Sequence, residues 1–278
     1  MVIAQATWDL QELSKGRVNI GLGTQVKGHN QRRFSVPWTA PYQRMKDYVG
    51  MVRAVWESWQ TGERPNYTST NYTFTLMTPN FDPGPLPYPF PKISLGAVGP
   101  KMAELAGEVA DVLLPHGFMT KEYLRDILVP AAQKGLAKRG REPGDLEISV
   151  GGFFALGETQ SDVELAIDRN RTPLSFYGST RTYHAVLRHH EREALGMTLH
   201  EMSLRGEWDR MPAAVPFHVA QDMSIACTYD ELPAYIREHY PYATRISLAE
   251  VQRAIDSGGS TGMTPERARW LIGQLQKI

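Results

Sequence analysis

Cysteine is nearly absent: Cys227 is the one thiol in 278 residues. A lone cysteine excludes an internal disulfide framework and suits a reducing, cytoplasmic setting. Net charge is absent too, because 30 basic and 30 acidic residues cancel and no long run of one sign stands out. That balance gives no electrostatic reason to expect nucleic acid or an anionic membrane as partner. No apolar run reaches the roughly 18 residues that a membrane helix needs. The N-terminus has no basic start leading into an apolar core, so it does not read as a signal peptide. Several catalytic signatures are also missing. There is no GxSxG elbow, and nothing around Cys227 marks it as a nucleophile. The group His189, His190, Glu191 and Glu193 lacks HExxH spacing and reads as a solvated helix face, so no metal is expected.

What is present suits a folded α/β protein: 42% hydrophobic residues support a sizeable core, and the length matches one barrel of about 250 residues. Ile3, Ala6, Leu10 and Leu13 recur at helical spacing, with Gly16 placed to end the helix. Residues 17–22 read as a strand ending in a glycine turn at Gly23. A basic loop without helix follows from Thr24 to about Ala40. The strongest helix runs from Pro41 to Gly62, residues 66–76 alternate like a hairpin, and six prolines stiffen residues 78–91. Strands are then expected at 93–97, 111–115, 146–156 and 244–248, and helices from Pro100, Thr120 (as N-cap), 222–239 and Pro265. Strands alternating with helices predict parallel βαβ units, hence a doubly wound sheet or a barrel. Residues 1–278 read as one domain, with a helical insertion or cap at about 160–216 and a tail at about 257–278.

Three places invite chemistry. Residues 21–33 (GLGTQVKGHNQRR) follow a strand and are rich in glycine and donors. A Rossmann phosphate turn needs a helix opening within the glycines, whereas an ordinary βα loop needs glycines only for a tight turn. Residues 95–102 (LGAVGPKM) lie between a strand end and a helix start, where backbone N–H groups and the helix dipole can face an anion. Lys101 conflicts with that dipole unless an anion offsets it; simple loop packing with a solvated lysine is the alternative. His116 ends the strand DVLLPH, where a barrel projects catalytic groups, although a histidine that only bonds a carbonyl would look the same.

LQELSKGRVNIGLGTQVKGHNQRRF, PYQRMKDYVGMVRAVWESW and PKISLGAVGPKMAELAGEVADVLLPHGF together resemble the luciferase-like oxidoreductases. The resemblance extends to FYGSTRTYHAVL, GEWDRMP and TYDELPAYIREHY, spans about residues 2–248 in consistent order, and looks closest to the coenzyme F420-dependent branch of bacteria such as actinomycetes. It implies a TIM-type (β/α)8 barrel and hydride transfer between coenzyme F420, or alternatively FMN, and a small organic substrate. The FMN members are monooxygenases. It also implies that Gly23, Thr24, Gln25 and His29 contact the cofactor, and that backbone N–H groups of Gly96, Ala97, Val98 and Gly99 hold its phosphate. His29 and His116 are the histidines placed at strand ends for a catalytic role, and Phe176, Tyr177 and Trp208 are placed for substrate contact.

The chain departs from that family in two ways. The family's GEVADG reads GEVADV, with Val112 in place of glycine. The match also begins in the third helix of the family's barrel, so the first three βα units are expected to be absent, leaving five strands where eight are implied. An open parallel sheet exposes two edges. The expectation is therefore a homo-oligomer, or the tail 257–278 packed across the gap, or else an incomplete product of low stability; the alternative function is a non-catalytic flavin-binding or structural relative.

Overall fold

The computed structural model describes residues 1–247 and 263–277. They form two compact units, Met1–Leu114 with Ala131–Glu147, and Pro115–Pro130 with the chain from Ile148 onward.

In the first unit, α1 (Val2–Leu13) ends at Gly16, whose φ of 85° is the left-handed conformation a helix stop favours. β1 (Asn19–Leu22) pairs in parallel with β4 (Lys92–Ala97), in the register Asn19 to Lys92 through Leu22 to Leu95, and β5 (Val112–Pro115) lies on the other side of β4. A short helix, α2 (Lys27–Arg32), interrupts the loop expected to be free of helix. Gln25 at φ 55° turns the chain, and the Asn30 amide donates to the carbonyls of Thr24 and Val26, closing the turn. That helix opens after Val26 and not among Gly21 and Gly23, so the Rossmann pattern is still not met.

The long helix α3 (Pro41–Thr61) buries Val49, Val52, Val55, Trp56 and Trp59. Trp8 of α1 packs against Trp59, and Trp56 against Phe90. Large-to-small replacement of one such ring costs about 3–5 kcal/mol. Side chains fasten the proline-rich segment to this core: Trp8 donates to the Gly84 carbonyl at 3.2 Å and Gln11 to that of Pro89 at 2.5 Å. The expected hairpin is β2 (Tyr67–Thr68) with β3 (Thr73–Phe74), held by the buried Asp47 carboxylate, which accepts from Asn71. Helix α4 (Pro100–Val109) follows β4 and crosses α6 (Val129–Lys138), which continues α5 (Lys121–Tyr123) after a wide turn; Thr120 caps α5 as its sequence position indicates. Burial favours the neutral acid at Glu108, but Lys46 and Tyr42 bonded to it hold its carboxyl below the usual range.

In the second unit the strand expected over 146–156 is two strands, β6 (Glu147–Val150) and β7 (Phe153–Gly157). Gly152 breaks it: at φ 148°, a conformation that favours glycine, it lies so close to Gly117 that a Cβ would come within 3.2 Å of the Gly117 carbonyl. β7 pairs in parallel with β8 (Ser224–Thr228), from Phe153–Ser224 to Gly157–Thr228, and β6 with β9 (Arg245–Ile246). β8 corrects the reading of 222–239 as one helix: Ser224, Ile225 and Cys227 are buried beside β7, and only Leu232–His239 (labelled α12 below) is helical. Buried β-branched and small residues without a polar face gave no period by which to tell strand from helix.

Between β7 and β8, helices α7 (Gln160–Gly178), α8 (His184–His189), α9 (Glu193–Leu204), α10 (Met211–Ala214) and α11 (Phe217–Asp222) succeed one another. Thr159 and Asp162 form a reciprocal capping box at the start of α7. The helix Pro265–Leu275, capped by Thr264, packs on α12, and its Arg267 reaches Asp230 at 2.8 Å. Leu248 of the last expected strand and residues 257–262 of the expected tail lie outside the described residues.

Candidate functional site

In the first unit the two expected cofactor segments meet. Gly96 lies against the end of β1: a Cβ there would be 3.3 Å from the Leu22 carbonyl oxygen and 3.9 Å from Gly23 Cα. Beyond it, Ala97 is buried and Val98 half-buried, and Gly99 is the extended N-cap of α4. A Cβ on Gly99 would meet nothing within 4 Å, so the helix start faces open space. Pro100 occupies the first helical position, where its missing N–H costs nothing. No side chain caps the helix, its first turn has no acid, and no described carboxylate pairs with the exposed Lys101. The Met102 and Ala103 N–H groups donate to the Gly99 carbonyl, and the positive end of the helix dipole and an unpaired cation converge on a surface with room above it.

Gly23 and Thr24 stand at the end of β1 beside this turn, with the Thr24 carbonyl accepting from Asn30 at 3.0 Å. Gln25 uses its side-chain oxygen on the Val26 N–H at 2.9 Å. His29 is exposed on α2; its ring lies 6.4 Å from that of Phe34, and its side chain has no hydrogen-bond partner among the described residues.

The second unit contains the other group of expected residues. His116 is half-buried, 4.7 Å between ring centroids from Tyr177 and 4.6 Å from Tyr183. Its Nδ1 accepts the Phe118 N–H at 3.0 Å, so in the neutral ring the proton resides on Nε2, which is 3.3 Å from the Tyr183 hydroxyl. Burial pushes the His116 pKa down and the Tyr183 pKa up, which keeps both groups neutral near pH 7. Tyr177 continues the aromatic surface to Phe176 (5.3 Å), and Phe176 to Trp208 (6.1 Å). Phe176 is 52% exposed and Trp208 49%, so these rings form an accessible apolar surface and not a core.

Tyr183 was not singled out in the sequence. It lies in the motif FYGSTRTYHAVL, but its partnership with His116 joins residues 67 apart, which no local spacing reveals. His189 and His190 are not a solvated face. His190 Nε2 is 2.7 Å from the Thr120 hydroxyl, and His189 lies 3.7 Å from Asp126. No group of three or more His, Cys, Asp or Glu side chains fit for a metal occurs among the described residues. Cys227 is buried in β8, and burial pushes its thiol up to about 12, so it is unreactive at neutral pH.

Three histidines of this unit, His116, His184 and His190, have pKa values lowered first of all by burial. The unfolded chain titrates near the ordinary histidine value of about 6.5. As pH falls through that value the unfolded state takes up protons that the fold does not, so stability decreases with acidification toward the lower folded values and is fully present above. Thermal melts between neutral and mildly acidic pH are expected to show this loss. His190→Gln is expected to reduce the slope; an unchanged slope would show that His190 titrates normally.

The sequence and fold also match known proteins. The family model described as luciferase-like monooxygenase covers residues 1–243. An uncharacterised protein of Mycobacterium tuberculosis strain H37Rv is 38% identical over 237 residues, which is 85% of this chain and 70% of that protein. Among solved structures, the coenzyme F420-dependent tetrahydromethanopterin reductase from Methanopyrus kandleri superposes with a TM-score of 0.72 at 18% identity, covering 94% of this chain and 77% of that one. The EDTA monooxygenase of Chelativorans sp. BNC1 superposes at 0.60 with 16% identity, covering 99% and 75%. The α/β fold with parallel strands is therefore that of the luciferase-like TIM-barrel enzymes. No helix among the described residues is long and apolar enough to cross a membrane.

Proposed function

Since the chain belongs to the luciferase-like monooxygenase family, we propose that it is an oxidoreductase using coenzyme F420 to move a hydride to or from a small organic substrate. The observation that carries this reading is the turn from Gly96 to Lys101: small, uncapped, unpaired in charge and open above Gly99. Those features fit a phosphate held by backbone N–H groups, with Lys101 as counter-charge. When bound, the deazaflavin supplies the hydride donor or acceptor, and the protein's part is orientation and proton handling. Gly23, Thr24, Gln25 and His29 stand on the same unit, where they would border the rest of the cofactor. In the second unit the neutral His116–Tyr183 pair manages a proton, and Tyr177, Phe176 and Trp208 offer an apolar surface to substrate. The Methanopyrus reductase, whose name includes F420, supports the choice of cofactor.

Gly99→Asp tests the turn with two opposite signs. Aspartate is a favoured N-cap, and the extended backbone at Gly99 accepts it, so the melting temperature should hold or rise. Its carboxylate would occupy the seat and repel the phosphate, weakening F420 binding by about tenfold or more. Fluorescence titration of both proteins with F420 and with FMN reads the result. FMN also carries a phosphate, so tighter binding and turnover with FMN would move the reading to an FMN-dependent monooxygenase. If the wild-type protein binds neither at tens of micromolar, the oxidoreductase reading fails.

A further inference from the structure

A cleft of about 280 Å³ lies in the first unit between the end of β1, where it shares Gly23 and Thr24 with the proposed cofactor border, the loop after α2 and the start of α3. Trp38, Tyr48 and Tyr72 wall it, Thr24 and Asn30 close one side, and Arg44 projects from α3 into the lining. Arg44 is half-buried, yet no described carboxylate or carbonyl accepts from its guanidinium. The nearest acid on its own helix, Asp47, is engaged by Gln43 and by Asn71. The hydroxyl of Tyr48 likewise has no hydrogen-bond partner among the described residues, while its ring stands at 65° to that of Tyr72. No acidic side chain lines the cleft. The surrounding sequence has the same bias: between Glu12 and Asp47 there are seven Lys or Arg residues and no acid. Of these, Lys46 is paired with Glu108, and Arg44 is the one that lines the cleft.

From this we infer that the cleft binds a small aromatic carboxylate, with the carboxylate on Arg44 and the ring against Trp38 and Tyr48. The guanidinium fork matches a carboxylate bidentately, and a flat ring stacks on the indole and phenol faces. A half-buried arginine left without an anion forgoes such a pair, and the tyrosine hydroxyl supplies a further donor to the same group. At about 280 Å³ the space falls just below the usual range for whole-ligand sites of about 300–1,000 Å³, which suits one ring with its acid. The inference rests on Arg44, Trp38 and Tyr48, which the cofactor reading does not use, although the cleft shares Gly23 and Thr24 with it.

The test is calorimetric titration of the whole chain with benzoate and with benzamide, its neutral counterpart. Wild type is expected to bind benzoate and not benzamide. Arg44→Gln should weaken benzoate by roughly tenfold or more, and Arg44→Lys should recover part of the charge but not the fork. Both variants should melt as wild type does, because Arg44 makes no side-chain hydrogen bond that the fold uses. Equal binding of benzoate and benzamide, or unchanged benzoate affinity in Arg44→Gln, would overturn the inference, as would no benzoate binding at all. Repeating the F420 titration with benzoate present shows whether the two ligands meet at the shared Gly23–Thr24 edge; F420 binding that is unchanged in Arg44→Gln keeps the two readings distinct. Benzoate binding that depends on Arg44 in a protein that binds no F420 supports the cleft and refutes only the cofactor reading.

Discussion

Replacing Tyr183 by phenylalanine is expected to leave the protein folded and to lower its turnover about 100-fold, the lower end of the range for loss of a positioned acid–base group. The reason lies in the direction of one proton. The Phe118 N–H occupies His116 Nδ1, so the imidazole is a donor at Nε2. That N–H points at the Tyr183 oxygen and leaves the phenol's own proton free to be given outward, to a substrate carbonyl oxygen whose carbon gains hydride; in the reverse direction the substrate hydroxyl returns its proton to the tyrosine oxygen as its carbon loses hydride. Burial favours the neutral form of each partner, so neither titrates near pH 7, and the wild-type rate is expected to be flat across that region as far as this pair is concerned. The structural cost of Tyr183→Phe is one hydrogen bond of 3.3 Å, about 1 kcal/mol or less. In the proposed mechanism His116 acts through Tyr183 and is a positioning residue. His116→Asn should lower kcat less than Tyr183→Phe, with little change in KM. Tyr183→Phe turnover within twofold of wild type would remove the tyrosine from the mechanism.

The elements that could be read from the sequence are those whose signal is local. The stripe of α3, the glycine stop at Gly16, the Thr120 cap and the helix start at Pro265 each depend on residues within one or two turns, and each occurs in the structure. The errors occur where distant chain decides. Whether 224–228 is strand or helix depends on β7 offering it a hydrogen-bonding edge, and Gly152 breaks 146–156 because Gly117 comes up against it. The same division runs through the site. The turn at 96–101 is a local device, a strand end followed by glycine, proline and helix, and its place is legible from adjacent residues; the anion proposed for it is the reading that the Gly99→Asp titration tests. Tyr183 and Arg44 were not. One is defined by a histidine 67 residues away, and the other by the absence of a partner, which sequence cannot display.

The largest stability effect is expected at Gly135, where alanine should destabilise the protein by about 2 kcal/mol or more and valine should prevent folding. Helices α4 and α6 cross backbone against backbone. A Cβ on Gly135 would lie 1.9 Å from the Glu104 carbonyl oxygen and 3.0 Å from the Glu108 nitrogen, and one on Gly107 would lie 2.0 Å from the Ala132 oxygen. Neither contact can be relieved by turning a side chain, so the helices must separate. The helix propensity that alanine adds, about 1 kcal/mol, cannot offset that separation. Separation would also stretch the ion pairs from Lys134 to Glu104 and from Lys138 to Glu104 and Glu108, which span the same crossing. Gly273 is the matched control: it lies inside the helix Pro265–Leu275 with nothing within 4 Å of a Cβ. There alanine should stabilise by up to about 1 kcal/mol. Denaturant melts of the two alanine variants should therefore shift in opposite directions. Because α4 carries the anion turn at its N-terminus, Gly135→Ala should also weaken F420 binding while Gly273→Ala leaves it unchanged. A Gly135→Ala protein as stable as wild type would show that the two helices can part without cost.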